Sequence, residues 1–200
     1  MAQVHIGHAN LGESQRARAV TQPCQQHLCL IHLAFAASLT HTPILETRTQ
    51  HWPDESSCEA FAAFLARHAA LADATVELEG TLGAGKTTLV RHLLRALGVQ
   101  GRIKSPTYAV VELYEVERPS LPPLAVSHFD FYRFERPDEW EDAGFREVFA
   151  APGLKLCEWA EKVAGRLPAP DLRIRLQIEA DDSRTVTMQA LTPRGQELLR

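Results

Sequence analysis

The sequence predicts an α/β fold in which a mixed, mainly parallel sheet is flanked by helices and has antiparallel strands at its edge. A short strand with alternating apolar residues at 75–79 runs into a glycine-rich loop, and a helical pattern follows the loop. Two later apolar segments each end on a carboxylate, Asp130 and Glu158. This pattern is typical of strands that carry ligand-binding residues at their carboxyl ends. Strands at 172–178 and 185–191, separated by an Asp-Asp-Ser turn, form a predicted hairpin.

The glycine-rich loop fits the pattern G-x-x-x-x-G-K-[ST] and therefore predicts a P-loop NTPase-like fold. Its glycines let successive N–H groups point at phosphate oxygens, at the positive end of the next helix. The predicted nucleotide-binding residues are Gly83, Ala84, Gly85, Lys86, Thr87 and Thr88. Lys86 is expected to reach the β- and γ-phosphates and the Thr87 hydroxyl to ligate Mg²⁺. A turn that binds nothing is the alternative, and the flanking strand and helix disfavour it.

Bulk properties limit the possible functions. At 200 residues the chain accommodates one domain and an appendage. The formal charge of -4 gives no basic field for nucleic acid, so any RNA is expected to be held by a partner. The four cysteines form no C-x-x-C pair, which favours a reduced, cytoplasmic protein. The longest apolar run, 28–39, is shorter than the about 20 residues that span a bilayer, so no membrane association is expected.

Three regions are predicted along the chain. Residues 1–42 are polar and lack periodicity until the apolar run, and we interpret them as an N-terminal extension. That extension is either disordered or loosely helical, or it precedes the native start of translation; a signal peptide is disfavoured by its long leading region. Residues 43–192 form the predicted functional domain, and 193–200 a C-terminal tail with a frayed helix.

The remaining elements follow from periodicity and turn signals. Asp54 is a predicted N-cap for a helix whose apolar positions run to Ala69, and Gly98 ends the loop helix. A strand is predicted at 108–114, a proline-rich loop at 119–123, and an antiparallel strand at 124–130. Pro137 opens a short helix through Trp140, and 154–158 is a buried strand.

Several residues beyond the loop are candidates for the same site. Asp130 or Glu158 could reach Mg²⁺, with the other orienting a water, or each could cap the following turn. Thr107 occupies the position at which switch segments present a hydroxyl to Mg²⁺. Trp159 could stack on adenine or pack in the core. His128 is interpreted as a strand residue, and the absence of Asn-Lys-x-Asp argues against a guanine-specific GTPase.

The motifs together resemble a known family. GTLGAGKTT at 80–88, KSPTY at 104–108, HFDFYR at 128–133 and EW at 158–159 are similar, in that order, to the TsaE (YjeE) family of bacterial tRNA threonylcarbamoyladenosine biosynthesis proteins. The resemblance covers about 43–191. It implies a P-loop ATPase, weak alone, that uses ATP and Mg²⁺ and works with TsaB and TsaD homologues, contacting tRNA only indirectly through the complex. The modified adenosine lies beside the anticodon of tRNAs that read codons starting with A.

The resemblance also implies roles for individual residues. Lys86 would bind phosphates, Thr87 and Glu158 would hold Mg²⁺, Asp130 would be catalytic or orient water, and Thr107 would belong to the switch segment. Trp159 would be an adenine platform and Arg184 a further nucleotide contact. The chain departs from the family at Thr81, Ala109 and Ala160, where Asp, Thr and Pro are usual. Thr81 removes a charge from the edge of the loop.

Two other functions remain open at this level. A small-molecule kinase would use Asp130 as the base for a hydroxyl nucleophile, but only Arg133 and Arg136 lie near it in sequence to serve a lid. A nucleotide-gated binding module would bind ATP without significant turnover.

Overall fold

Seven strands and five α-helices are found in a computed structural model that describes residues 43–142 and 144–200. The strands are β1 (Glu46–Trp52), β2 (Thr75–Glu79), β3 (Val111–Arg118), β4 (Leu121–Asp130), β5 (Leu154–Glu158), β6 (Leu172–Ile178) and β7 (Arg184–Ala190). The helices are α1 (Glu55–Ala66), α2 (Lys86–Leu97), α3 (Glu139–Asp142), α4 (Phe145–Ala150) and α5 (Pro193–Glu197). Short 3₁₀ helices lie at Ala69–Asp73 and Ala160–Val163. The expectations for residues 1–42 lie outside the described residues.

The strands form one mixed sheet in the order β1-β7-β6-β2-β5-β4-β3. The central pairings β6–β2, β2–β5 and β5–β4 are parallel, while β1–β7, β7–β6 and β4–β3 are antiparallel. The predicted fold class is therefore confirmed. Because β2, β5 and β4 are neighbours and parallel, the loop after β2, Glu158 and Asp130 lie at the same edge of the sheet.

The two faces of the sheet bury different cores. Alternation along β5 directs Leu154 and Leu156 to the face covered by α1 and α2, and Cys157 to the opposite face. That second face carries an aromatic cluster with α3 and α4: Phe129, Phe131, Phe134, Trp140 and Phe145. Glu158 follows the alternation of Leu154 and Leu156, so it lies on the face covered by α2.

The β3–β4 hairpin is antiparallel as predicted, but its boundaries differ. Residues 119–123 were expected to form a loop, whereas β3 extends to Arg118 and β4 begins at Leu121. The prolines at 122 and 123 are tolerated because the strand pairing shifts register between Val116 and Arg118, where ladder hydrogen bonds are already interrupted. Neither β1 nor α4 was predicted from the sequence, and α1 ends at Ala66 rather than continuing to Ala69.

The C-terminal residues pack against the domain. The Thr192 side chain accepts a hydrogen bond from the Gly195 N–H (3.2 Å) and so caps α5. Leu198 and Leu199 are buried in the same core as α1 and α2. Among the described residues no helix is both long and apolar enough to cross a membrane.

Candidate functional site

The loop between β2 and α2 has the backbone of an anion cradle. Gly83 (φ 81°) and Gly85 (φ 108°) are in the left-handed region, which glycine adopts without a Cβ penalty. Gly85 is the N-cap residue of α2, so the free N–H groups of the first helical turn begin at the loop. The arrangement therefore presents positive dipole ends where a phosphate would bind.

Lys86 is held inside this loop. Its Nζ donates hydrogen bonds to the backbone oxygens of Gly80 (2.7 Å) and Thr81 (3.0 Å), and the residue is only 4% exposed. Burial lowers the pKa of the Lys86 ammonium, while the charges of Glu158, Glu161 and Asp130 oppose that shift. The partly desolvated ammonium favours an incoming anion, and the nearby carboxylates help to keep it protonated.

Glu158 lies directly beside the first hydroxyl of α2. The Thr87 Oγ1 donates to the Glu158 carboxylate, at 2.8 Å from Oε1 and 3.0 Å from Oε2. The site thus brings together the two residues that the resemblance assigns to Mg²⁺. Glu158 contacts a helix residue 71 positions away, and among the described residues its carboxylate forms no hydrogen bond with the turn that follows it.

His128 completes this arrangement from β4, a role that sequence analysis missed. It is fully buried, and its Nε2 lies 2.9 Å from Glu158 Oε1. Its Nδ1 is buried without a hydrogen-bond partner among the described residues. Because an unpaired buried N–H costs more than an unpaired lone pair here, the favoured tautomer carries its proton on Nε2 and donates it to Glu158. Its place in the HFDFYR motif, two residues before Asp130, was the available signal.

Asp130 binds the segment that carries Thr107. Its Oδ2 accepts hydrogen bonds from Thr107 Oγ1 (2.7 Å) and from Ser105 Oγ. Its Oδ1 accepts from the Tyr132 N–H (3.0 Å), so the carboxylate also caps the following turn. Asp130 is opposite Glu158 in the pairing of β4 with β5. The structure therefore joins Asp130, Glu158 and Thr107 near the loop, and adds Ser105, which sequence analysis did not select.

Trp159 lies over the loop lysine. Its ring centroid is 4.0 Å from Lys86 Nζ, a cation–π distance, and 5.1 Å from the Tyr132 ring centroid. The residue has a left-handed backbone (φ 59°), which turns the chain directly after β5. Trp159 is half-buried, so its ring retains an accessible part.

Arg184 lies on another side of the loop. Its Nε donates to the Ala84 backbone oxygen (3.0 Å) and thereby braces the loop from β7. It lines a cleft of about 170 Å³ together with Gly83, Ala84, Gly85 and Thr88. Trp159 does not line that cleft. The predicted site residues therefore form two groups, one around Lys86 and one around Arg184, joined by the loop.

The donor set at the first group fits a magnesium ion. Mg²⁺ prefers oxygen ligands, commonly one or two protein oxygens with phosphates and waters. Thr87 and Glu158 supply a hydroxyl and a carboxylate that already lie within hydrogen-bonding distance of each other, beside the phosphate-binding loop.

Comparisons with known proteins found relatives that match most of the chain. A family model described as "Threonylcarbamoyl adenosine biosynthesis protein TsaE" matches residues 52–186. The chain is 38% identical to the tRNA threonylcarbamoyladenosine biosynthesis protein TsaE of Haemophilus influenzae, over 78% of this chain and 97% of that protein. It is 36% identical to the same-named protein of Bacillus subtilis, over 73% and 86%. The crystal structure of Bacillus subtilis YdiB superposes with a TM-score of 0.61 at 27% identity, covering 77% of this chain and 92% of that one.

Proposed function

The chain belongs to the TsaE family of tRNA threonylcarbamoyladenosine biosynthesis, and from this premise we propose that it binds and hydrolyses ATP within a TsaB–TsaD–TsaE machinery. That machinery forms threonylcarbamoyladenosine beside the anticodon of tRNAs that read codons starting with A. The hydrolysis is weak in the isolated protein and is stimulated by the TsaB and TsaD homologues, which contact the tRNA. The observation that best supports this proposal is the Thr87–Glu158 contact beside a phosphate-binding loop. The proposed location is the cytoplasm.

The side chains of the site suit these steps. Lys86 exchanges its contacts with the Gly80 and Thr81 oxygens for the β- and γ-phosphates of ATP. Thr87 and Glu158 hold Mg²⁺, which when bound neutralises charge on the phosphates. His128 keeps Glu158 oriented toward Thr87. In this assignment the first turn of α2 contributes Lys86 and Thr87, and the end of β5 contributes Glu158.

Asp130 is the proposed group for orienting the attacking water. Its carboxylate accepts hydrogen bonds from the Ser105 and Thr107 hydroxyls, which supports its ability to accept one from water or from a substrate hydroxyl. Thr107 acts with it as part of a switch segment. Trp159 and Arg184 are proposed as nucleotide contacts, Trp159 as the adenine platform and Arg184 through the cleft beside Gly83 and Thr88.

ATP turnover with and without a TsaB–TsaD complex tests the proposal. We expect slow turnover by the wild-type protein, a clear increase with the complex, and loss of the stimulated rate in Asp130→Ala and Glu158→Ala. If both variants keep the stimulated rate, the assignment of the carboxylates is wrong. ADP formation that requires an added small-molecule acceptor would support the kinase instead.

A further inference from the structure

A strongly basic cleft opens next to the candidate site. Its volume is about 590 Å³, and four cationic side chains line it: Arg91, Arg95, Arg102 and Lys104. Thr87 and Ser105 line it as well, so it reaches both the magnesium ligand and the segment bound to Asp130. Among residues 43–142 and 144–200 no carboxylate lines the cleft, although the chain as a whole carries a formal charge of -4.

In the part of the chain that the structure describes, no carboxylate forms an ion pair with the cations of this basic cleft. Arg95 donates to the backbone oxygens of Val99 (3.2 Å) and Gly101, which fixes its guanidinium without cancelling its charge. Within the described ranges, Arg91, Arg102 and Lys104 have neither an ion pair nor a side-chain hydrogen bond. Arg91 and Arg95 lie four residues apart on α2, a spacing at which like charges repel. The cluster is therefore unfavourable by itself and complementary to an anion.

The residues around the cleft favour a carboxylate-bearing protein segment over RNA as its ligand. Bases bound by proteins are commonly stacked on aromatic side chains, and no described aromatic side chain lines the cleft. The adjoining segment instead carries Tyr108, which is 86% exposed and has the Arg133 guanidinium 4.0 Å from its ring centroid. Tyr and Arg are among the side chains that are enriched at the energetic centres of protein–protein interfaces. Guanidinium groups also pair bidentately with carboxylates.

We propose that the basic cleft docks a carboxylate-rich segment of a protein partner. The inference rests on the proposed function, in which partner proteins stimulate hydrolysis. Ser105 lines the cleft and also donates to Asp130, so an anion bound there contacts the segment that holds the proposed catalytic carboxylate. Docking is thereby linked to the position of Ser105 and Thr107.

Charge reversal in the cleft tests the inference. The measurement is the dissociation constant for a fluorescently labelled TsaB–TsaD complex at low and high salt, alongside the ATP affinity of the isolated protein. We expect Arg102→Glu/Lys104→Glu to weaken binding of the complex by about tenfold or more, because attraction becomes repulsion. Its ATP affinity should stay within about twofold of wild type. The control is Arg67→Glu, which reverses one exposed cation outside the cleft.

Each result has a defined meaning. If the double variant binds the complex as tightly as the wild type does, the inference is overturned but the proposed function is not. The same follows if the double variant still binds the complex but no longer binds labelled tRNA. A wild-type protein that does not bind the complex overturns the proposed function and the inference with it. If the Glu variants do not fold, Arg102→Gln/Lys104→Gln removes the charges without reversal and should weaken binding in the same direction.

Discussion

His128 shows how one buried side chain can determine the geometry of a site that it does not enter. Among the described residues, the only hydrogen bond of its side chain is to Glu158, and Glu158 in turn accepts a hydrogen bond from Thr87. A hydrogen bond to a charged group contributes about 1.5–3 kcal/mol, more than a neutral pair. His128 is therefore a positioning residue for the carboxylate.

Replacing His128 should affect both stability and the magnesium requirement. His128→Phe keeps an aromatic ring but removes the donor from a buried carboxylate. We expect the free energy of unfolding to fall by about 1–3 kcal/mol and half-maximal nucleotide binding to need more Mg²⁺. Chemical denaturation and Mg²⁺ titrations of nucleotide binding measure the two effects.

His128→Gln is the matched control, because its amide N–H can still donate to Glu158. It should recover part of the magnesium affinity. If His128→Phe binds Mg²⁺-nucleotide like the wild type, the His128 side chain contributes only packing and does not position Glu158.

The two described cysteines should be unreactive in the native protein. Burial raises the pKa of the Cys157 thiol well above its usual value and that of Cys58 to about 12. Since the thiolate is the reactive form, neither should react with iodoacetamide at about pH 8 until the protein unfolds. Mass mapping of labelled peptides distinguishes them from Cys24 and Cys29.

The same pKa shifts have a consequence for stability. A raised pKa in the folded state means that the unfolded chain loses these protons first as pH rises. The contribution of Cys58 and Cys157 to stability is therefore complete below the ordinary thiol pKa of about 8.5 and declines above it. Native labelling of Cys157 at neutral pH would contradict the burial of β5.

Among the elements, α5 is joined to the sheet by the Asp171 backbone and side chain. The Asp171 carboxylate accepts from the Thr75 N–H (2.9 Å) and from Thr192 Oγ1, next to the start of α5. Gly195 lies so close to the same residue that an added Cβ would be 1.9 Å from the Asp171 backbone oxygen. The helix therefore docks only with glycine at that position.

Gly195→Ala should destabilise the protein despite the better helix propensity of alanine. That propensity is worth at most about 1 kcal/mol, whereas the Cβ would meet backbone atoms that cannot move independently. We expect a net loss of about 2–3 kcal/mol in thermal or urea unfolding. Glu197→Ala, exposed on the same helix, should change stability by less than about 0.5 kcal/mol. A neutral Gly195→Ala would mean that α5 is not docked as described.

The helices and strands that were predicted correctly are those with a pattern of apolar residues within their own sequence. β2, β5 and α2 have apolar patterns that local periodicity describes, and their predicted positions agree with the structure. β1 has mostly exposed residues and is held by pairing with β7, so no alternation predicts it. The prolines before Leu124 indicated a loop. They are accommodated in β4 by a register shift in its pairing with β3, which local sequence does not reveal.

For the whole molecule, ligand binding should be coupled to unfolding. A ligand that binds only the folded state at about 100 times its Kd stabilises it by about 2.7 kcal/mol. For a domain of this size that corresponds to a Tm increase of about 5–10 °C, which we expect with Mg²⁺-ATP in differential scanning fluorimetry. Lys86→Ala should lose most of the shift. An equal shift in that variant would exclude Lys86 from nucleotide binding.

The sequence by itself determined the phosphate-binding loop, the fold class and the motifs that resemble the family, because each depends on residues adjacent in the chain or on a short period. Only the tertiary structure decided which groups meet. His128, Glu158 and Thr87 come from β4, β5 and α2, and they converge because parallel strands end at one edge of the sheet, with α2 packed on the same face. The basic cleft has the same origin, since Arg102 and Lys104 join the two arginines of α2 only when the chain after α2 folds back beside the helix.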